Sequence, residues 1–317
     1  YLTDHLITPA FATDIETNRS SIAVQGNFQV NPDHLLSIGA DYYNDEVDTL
    51  TAFPETERDN RGIFAQWQGK LNRLSIVGNL RYDDNEAYGS ETNGSLALGF
   101  KLTDSLELIA SYGTAFKAPS FNDLYFPFFG NPSILPEESE SAELSLKGWH
   151  DNLQWRVSAY RTNVDNLIGF DLATFTANNT SEATLQGVEM ELSTVFYNWL
   201  LSANLNYLDA RNEDTNEYLD DRATVTANID LGRSFNRLYL GVDLQTESGR
   251  HDQNGVRLSG FTLFGLKASY QLNDQFKIAG RIDNLFDKDY TRNLATSWVA
   301  YETEGRFANL SLTYTFK

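Results

Sequence analysis

The residues most capable of chemistry in this sequence are its histidines and clustered acids, and their spacing indicates no catalytic site. The four histidines lie far apart in predicted turns or loops and lack the spacing of a metal site: His5, His34, His150 and His251. No nucleophile elbow, phosphate-binding glycine loop or other paired catalytic motif is present. We therefore expect a protein that is not an enzyme. An esterase or protease with scattered catalytic residues is the alternative.

Two acidic runs could supply oxygen ligands to a hard cation such as Ca²⁺. One run contains Asp83, Asp84, Asn85 and Glu86, and the other contains Asp209, Glu213, Asp214, Glu217 and Asp220. Neither run matches the twelve-residue EF-hand loop, which has glycine at its sixth position. Calcium in these loops is thus a hypothesis, set against plain solvation of acidic loops. No other cofactor and no resident metal are expected.

Strands must position these residues, because apolar and polar side chains alternate along much of the chain. The last strand shows the pattern, with Leu310, Leu312 and Tyr314 alternating with Ser311 and Thr313. Strict period-two alternation is typical of a strand with one apolar face. About fifteen segments of roughly ten residues share it, which is the length at which a tilted strand crosses a bilayer. The first clear segment lies near residues 20–30.

The connections between these segments alternate between short and long. Seven are tight turns: 31–33, 71–73, 103–104, 151–152, 197–198, 235–236 and 273–274. The longer, polar connections include 46–59, 83–91, 118–137, 209–221 and 247–257. This layout is typical of an outer-membrane β-barrel with turns on the periplasmic side and loops outside. Aromatic residues beside the short turns, such as Trp149, Trp155 and Trp199, fit an interfacial girdle, whereas a soluble β-sandwich would place them in its core.

Composition agrees with this interpretation and excludes other classes. The chain has 317 residues, 24 basic and 44 acidic side chains, and a net charge of −20, which argues against a nucleic-acid partner. Cysteine is absent, so disulfide frameworks and thiolate metal sites are excluded. No apolar run approaches eighteen residues, so a spanning helix is not expected.

Counting strands back from the C-terminus predicts that the chain is the C-terminal part of a larger barrel. The first segment would then run from outside to inside, and residues 1–17 would form an external loop. A barrel with both ends in the periplasm needs an even number of strands. An open edge facing lipid would leave backbone groups unpaired. We therefore expect the rest of the barrel to come from sequence that precedes this chain.

Four motifs, together with the final strand, resemble the C-terminal barrel of TonB-dependent outer-membrane receptors. They occur in this order: 112–119 (YGTAFKAP), 130–137 (GNPSILPE), 178–189 (NNTSEATLQGVE) and 284–290 (NLFDKDY). The resemblance implies an all-β, transmembrane antiparallel β-barrel of which this chain supplies the last fifteen of twenty-two strands. It also implies a Gram-negative outer-membrane location, lipid and lipopolysaccharide as neighbours, and an upstream plug that contacts the TonB complex. Residues 130–132 and 135–137 and the 284–290 motif are expected to be loop architecture.

Within that family the chain looks most similar to the vitamin B12 (cobalamin) transporters, above all at 125–136, 209–212 and 222–223. This resemblance implies uptake of cobalamin and places substrate contacts at Thr13, Arg222, Asp252 and Asn254. The transporters tend to carry two arginines where this chain has Asp221 and Arg222, and an aromatic where it has Asn254. Arg222 is the leading candidate, although it would equally suit a rim ion pair with Asp220 or Asp221.

Three alternative functions stay open at this point. A TonB-dependent receptor for a ferric siderophore, a haem or a glycan would differ only in its loop chemistry. A passive porin would keep the barrel without the plug. A soluble β-rich binding module would need no detergent for extraction.

Overall fold

The computed structural model of the chain describes residues 2–8, 13–171, 174–179, 182–252, 255–296, 299–301 and 303–316. Within these residues the chain forms strands almost throughout, with one short helix, α1 (Phe121–Tyr125). None of the helical structure there is long and apolar enough to cross a membrane. The strands in chain order are β1 (Leu2–Thr8), β2 (Thr13–Asn31), β3 (His34–Thr49), β4 (Glu57–Leu71), β5 (Leu74–Asn85), β6 (Gly89–Thr103), β7 (Leu106–Lys117), β8 (Glu137–His150), β9 (Leu153–Asp165), β10 (Ile168–Asp171), β11 (Thr176–Asn179), β12 (Ala183–Phe196), β13 (Trp199–Asn212), β14 (Val225–Phe235), β15 (Leu238–Glu247), β16 (Arg250–His251), β17 (Arg257–Leu258), β18 (Phe261–Gln271), β19 (Phe276–Asp283), β20 (Leu294–Thr296), β21 (Val299–Ala300) and β22 (Phe307–Tyr314).

One sheet contains sixteen of these strands, each antiparallel to its neighbours in the sheet. Its order is β1 to β9, then β12 to β15, then β18, β19 and β22. The pairs β10–β11, β16–β17 and β20–β21 form small hairpins within the long connections. The predicted all-β antiparallel class is confirmed, and the fifteen sheet strands from β2 onward are the fifteen that alternation predicts.

The expectation that residues 1–17 form an external loop is wrong for the described part of this segment. Strand β1 pairs with β2 from Leu2 opposite Arg19 to Thr8 opposite Thr13, and β2 itself begins at Thr13. Polar side chains such as Glu16 and Asn18 interrupt the apolar alternation there, while the backbone ladder continues. Alternation marks only the part of a strand that faces hydrocarbon, so it underestimates strand length.

The same effect shortens two of the predicted loops. Strand β3 continues to Thr49 and β4 begins at Glu57, so the loop predicted at 46–59 is confined to 50–56. Residues 86–88 alone separate β5 from β6, where 83–91 is predicted to be loop. The side chains of Asp83 and Asn85 are buried within the extended ladder.

The two faces of the sheet differ in chemistry. Register places Leu201 opposite Leu231, and Leu231 opposite Val242, so apolar side chains form continuous rows on one face, here called the lipid face. Ile22 is 71% exposed and Leu310 is 78% exposed, although both belong to this apolar set. Such a broad exposed apolar surface is compatible with hydrocarbon rather than water. The opposite face, here called the inner face, carries polar and charged side chains.

The short turns lie together at one end of the sheet, as predicted. Asn72, Asp151, Asn198 and Asn236 have positive φ, a conformation that asparagine and aspartate adopt more readily than most residues. Aromatic rings gather beside these turns. Trp199 and Phe235 lie with their centroids 6.3 Å apart, and Phe276 and Tyr314 with theirs 4.7 Å apart. This end is the periplasmic end, because aromatic girdles mark membrane interfaces and outer-membrane barrels keep their short turns there.

Candidate ligand-binding surface

A buried carboxylate organises the inner face at the external ends of β2, β3 and β4. Asp45 is only 2% exposed and accepts hydrogen bonds from Nε and Nη2 of Arg19 at 2.6 and 2.9 Å. Arg58 approaches the same carboxylate, with its Nε 3.4 Å from Oδ2. Arg19, Arg58 and Asp45 together carry one net positive charge.

Helix α1 lies against this cluster and is held by Arg58. The Nη1 of Arg58 donates to the carbonyl oxygen of Pro119 at 2.7 Å, and its guanidinium lies 4.6 Å from the centroid of the Phe121 ring. Ser120 starts the helix with a reciprocal capping box to Asp123. Phe121 packs with three inner-face or loop residues, Ile15, Val47 and Phe53. The connection between β7 and β8 therefore folds over the external opening of β2 to β4.

A second charged network lies beside the first and includes much of the first acidic run. Arg81 donates to both oxygens of Asp41, at 2.7 and 3.0 Å, and to both oxygens of Asp83, at 2.7 and 2.6 Å. Asn60 donates to Asp83 at 3.0 Å and accepts from Asn85 at 3.2 Å. These oxygens already have partners, so Asp83 and Asn85 serve the network in the structure as it stands.

Aromatic rings cover the outer part of the connections between β7 and β8 and between β9 and β12. Phe126, Phe129, Phe170 and Phe175 follow one another with ring centroids 5.7, 6.1 and 6.1 Å apart, and we call them the aromatic rim. Phe128 lies in the same loop and is 93% exposed, with φ of 72°. Positive φ in a bulky residue is strained. The loop thus holds an apolar ring in solvent at a backbone cost, which is typical of a binding surface.

Asparagine side chains join these two connections to each other. Asn179 donates to the carbonyl oxygen of Leu135 at 2.9 Å and accepts from its backbone N–H at 2.8 Å. Asn131 donates to Ala177 O at 3.2 Å and to Asn178 Oδ1 at 3.1 Å. These residues belong to the 130–137 and 178–189 motifs, so both motifs contribute to loop architecture. That role was expected for 130–132 and 135–137.

Gly130 is required by a close approach of the backbone. A Cβ atom at this position would lie 2.6 Å from Phe126 N and 2.7 Å from Tyr125 N, which is too close for any other residue. The 284–290 motif is likewise architectural, because Asn284 accepts from Lys288 N at 2.8 Å and donates to Lys288 O at 3.0 Å.

The loops that carry Arg222 and Asp252 touch each other. The backbone N–H of Asp221 donates to His251 O at 2.7 Å, which joins the β13–β14 connection to the β15–β18 connection. The Arg222 side chain is exposed, and its Nη1 donates to the backbone carbonyl of Asp220 at 3.2 Å. The guanidinium therefore projects from the rim and has donors free for a ligand.

Asp252 has a different environment. It is completely buried, and its Oδ1 accepts a hydrogen bond from Val256 N at 2.8 Å. The backbone N–H of Asp252 also donates to Val256 O at 3.0 Å, so the residue closes the turn between β16 and β17. Asp252 shapes this loop, and a direct contact with a ligand would require the turn to open.

The other two predicted contact residues give less information. Thr13 is the first residue of β2, and its backbone pairs with Thr8. Strand β2 is second in the sheet order, whereas β14, the strand that follows Arg222, is twelfth. Asn254 lies outside the described residues. The structure thus brings the Arg222 and Asp252 segments together, while Thr13 belongs to a distant part of the strand order.

The acids near Arg222 repel one another. The pKa of Asp220 is raised, mainly by partial loss of solvent and then by the charges of Asp221 and Asp252. The pKa of Asp221 is raised by the same loss of solvent and by Asp252, while Arg250 and Arg222 oppose the shift. Both carboxylates remain exposed at the surface, so these shifts describe crowded rim charges rather than a buried site.

The second acidic run is spread along this rim and does not converge. Arg211 pairs with Asp209 at 2.9 Å, and Glu213 and Asp214 are exposed. Across the described part of the chain, no three Asp, Glu, His or Cys side chains are grouped so that they could hold a metal ion. Calcium binding stays a prediction that a titration would test.

Ion pairs continue down the inner face toward the periplasmic end. Lys267 lies between Asp230 and Asp243, and its Nζ is 3.1 Å from Asp243 Oδ1. Arg156 pairs with Glu143 at 2.7 Å. The whole face therefore offers paired charges and hydrogen-bonding groups, which suit recognition of a polar surface.

Comparison with known proteins decides the family. The family model described as "TonB dependent receptor-like, beta-barrel" matches residues 3–285. The chain belongs to this family. TonB-dependent receptor barrels are outer-membrane proteins of Gram-negative bacteria and act as receptors and transporters rather than enzymes, so the predicted fold and location are confirmed.

Two relatives of this TonB-dependent receptor chain are vitamin B12 transporters named BtuB. The protein of Photobacterium profundum is 32% identical over 312 residues, which cover 95% of this chain and 51% of that protein. The protein of Vibrio vulnificus is 28% identical over 314 residues, covering 96% of this chain and 51% of that protein. The chain thus spans about half the length of these relatives.

Solved structures similar to this receptor chain include iron and copper receptors. The copper transporter OprC superimposes with a TM-score of 0.82 at 21% identity, covering 96% of this chain and 57% of its own. The ferric enterobactin receptor of Pseudomonas aeruginosa gives 0.79 at 19% identity, with 96% and 54% covered. At these identities the similarity shows the shared fold alone.

Sequence reasoning missed the aromatic rim and the Arg58 contact. A signal for the rim is present in residues 125–129, which read YFPFF within a predicted loop, where water would disfavour so many rings. No local signal identifies Arg58, because its partners Asp45 and Pro119 lie on other elements.

Proposed function

We propose that the complete receptor containing this chain takes up cobalamin or a related corrinoid across the outer membrane with energy supplied through TonB. One observation carries this proposal: the 32% identity to a vitamin B12 transporter extends over 95% of the chain. The structurally similar iron and copper receptors share 15 to 21% identity. The cargo assignment therefore rests on sequence similarity, since the fold is common to receptors of several cargoes.

The chemistry of the external surface supports a large polar cargo. Cobalamin carries amide side chains, a phosphate and a nucleotide base, which hydrogen-bonding groups recognise better than an apolar pocket does. Arg222 has donors on the rim that are free for a ligand. In this proposal Arg222 contacts the ligand, Asp252 keeps the neighbouring turn in shape, and Thr13 and Asn254 are further contacts.

The proposal also includes the partners of the whole protein. Sequence upstream of this chain would supply the remaining strands and the plug that the barrel houses, and the plug region would contact the TonB complex. Lipid and lipopolysaccharide would surround the lipid face. Nucleic acid is not among the expected partners, because the chain carries a net charge of −20.

A binding titration of the purified complete receptor tests the cargo. We expect cyanocobalamin to bind with a Kd below micromolar and ferric enterobactin to bind far more weakly. A receptor that binds no corrinoid at micromolar concentration, while remaining folded by its circular dichroism, would overturn the cobalamin proposal. Diffusion of small sugars through the receptor in liposomes would instead point to a passive porin.

A ferric siderophore is the second candidate, and the aromatic rim favours it. Phenylalanine rings 5.7 to 6.1 Å apart suit stacking against catechol rings. The same titration separates the two cargoes, because submicromolar binding of a ferric catecholate without corrinoid binding would select the siderophore. Haem or a glycan would require binding of that compound in the same assay.

A further inference from the structure

An arginine lies on the lipid face close to the periplasmic end. Alternation from Leu231 places Arg233 on this face, and register sets it opposite Trp199 on β13 and Leu240 on β15. The turn after Phe235 follows two residues later. A charged side chain on the lipid face is tolerated near an interface and is costly at the bilayer centre. Arg233 therefore occupies the level of the inner-leaflet headgroups.

Two aromatic rings hold the guanidinium of Arg233 in place. Its Cζ lies 5.7 Å from the Trp199 ring centroid and 4.8 Å from the Phe235 ring centroid. Its Nε is buried and has no hydrogen-bond partner among the described residues. Guanidinium groups bind phosphate through paired N–H donors. The rings orient this cation, and because its Nε is enclosed, the Nη groups are the donors that an oxyanion would use.

An apolar groove begins next to this arginine and crosses the neighbouring strands from β13 to β22. It has a volume of about 570 Å³, and its lining includes Trp199, Leu231, Leu240, Ala268, Gly280 and Ala308. The groove exists because small side chains lie between larger ones. A Cβ atom on Gly280 would meet nothing closer than 3.7 Å.

The depth of the groove in the bilayer follows from its distance to the periplasmic end of β19. Its lining residue Ile282 lies six positions beyond Phe276, the first residue of β19. Six residues span roughly 20 Å along a strand, or about 15 Å along the membrane normal for a tilted strand. This is about half of the hydrocarbon thickness. The groove therefore belongs to the inner leaflet.

We propose that Arg233, Trp199 and the adjoining groove form a binding site for one glycerophospholipid of the inner leaflet. The phosphodiester accepts hydrogen bonds from the Arg233 guanidinium, and one acyl chain fills the groove past Gly280. Because the site is cationic, it prefers phosphatidylglycerol to phosphatidylcholine. The site is separate from the external ligand-binding surface, so it does not depend on the identity of the cargo.

Native mass spectrometry of the complete receptor in detergent, with added phosphatidylglycerol, tests this site. We expect the wild-type receptor to retain one phosphatidylglycerol more tightly than the Arg233→Gln variant. Compared at the same lipid concentration, the bound fractions should correspond to about fivefold weaker binding in the variant. Arg237→Gln is the matched control. Arg237 lies in the neighbouring turn and donates to Leu272 O at 3.0 Å, so its loss should leave retention unchanged.

A second pair of variants tests the groove without changing charge. Gly280→Leu fills the groove and should lower phosphatidylglycerol retention. Gly78→Leu is its control, because it adds the same side chain to another part of the lipid face, where nothing lies within 4 Å of the new Cβ. Heat-modifiable migration on gels verifies that each variant is folded. Equal retention by wild type and Arg233→Gln would overturn the site, as would equal loss in Arg237→Gln. Neither result would bear on cobalamin binding.

Discussion

Arg58 reaches across the mouth of the sheet to Pro119, 61 residues later in the chain, and donates to its carbonyl oxygen at 2.7 Å. The same guanidinium stacks on Phe121 and contacts the buried Asp45. One side chain thus connects a strand, a loop and the single helix of the described residues. The external surface on this side of the sheet therefore depends on the ion pair between Arg58 and Asp45, which lie on different strands.

Removing the arginine should release the loop. In Arg58→Ala, Asp45 loses one of its two cationic partners and Pro119 O loses its donor, at a cost of about 1–3 kcal/mol. We expect protease to cleave 118–136 faster while the sheet stays folded. Arg61→Ala is the control, since Arg61 is exposed on the opposite face of β4. Equal cleavage in both variants would contradict the role of Arg58.

Arg222 should contribute to ligand affinity. Its exposed guanidinium has donors available for a phosphate or amide oxygen, and a charge-assisted hydrogen bond contributes about 1.5–3 kcal/mol. Arg222→Ala should therefore weaken binding of the cargo roughly tenfold to a hundredfold. Titration of the purified variant measures this. Arg73→Ala, in a periplasmic turn, should bind like wild type, and an unchanged Kd in Arg222→Ala would exclude the residue from the contact surface.

Asp252 should act through the shape of its loop. Asp252→Ala leaves the Val256 N–H without its carboxylate acceptor, which costs about 1–3 kcal/mol. Hydrogen exchange at Val256 should become faster. Asp252→Asn keeps an oxygen acceptor and should preserve most of the protection. If both variants exchange like wild type, the buried carboxylate is not what closes the turn.

The crowded acids at the rim predict a pH dependence. Both Asp220 and Asp221 have raised pKa values in the folded loop, so the folded state disfavours their ionised forms. Below the usual carboxyl pKa of about 3.9 both are protonated in any state, and no penalty exists. As the pH rises through the raised pKa values the penalty appears, and the contact between Asp221 N and His251 O becomes weaker.

Hydrogen exchange of the Asp221 amide, corrected for its intrinsic rate, measures this effect. We expect protection to fall as the pH rises above 4, and Asp220→Asn to restore protection at neutral pH. Glu213→Gln is the control, because Glu213 is exposed and has no part in either shift. Protection that rises with pH in wild type would reverse the predicted sign.

The strands and turns could be predicted from sequence because each leaves a local signal. Alternation identified the fifteen strands from β2 onward, and Asn72 and Asn236 mark turns whose positive φ they tolerate. Strand ends could not be predicted. Beyond the hydrocarbon region the ladder continues with polar residues on both faces, as at Glu16, so the signal stops before the strand does.

The candidate site was less predictable because it depends on contacts between distant segments. Arg222 and Asp252 were both identified, yet only the structure shows that one projects from the rim while the other is buried within a turn. Asn131 and Asn179 appear in motifs, but their partners lie more than forty residues away. Side-chain hydrogen bonds between loops leave no periodic trace in a sequence.

The assignment of the lipid face makes the most direct prediction. Ile229 lies in the middle of β14, faces outward and is 41% exposed, whereas its neighbour Asn228 faces inward and donates to Asn204 at 3.0 Å. An arginine near the bilayer midplane costs about 2–4 kcal/mol on the lipid face of a barrel. Ile229→Arg should therefore lower the free energy of unfolding of the complete receptor in lipid vesicles by that amount, since hydrocarbon cannot solvate the charge.

Asn228→Arg should cost much less, because the inner face is polar. Urea titration of the refolded receptors compares the two variants. Equal destabilisation, or a greater loss in Asn228→Arg, would mean that the apolar rows face protein or water instead of lipid.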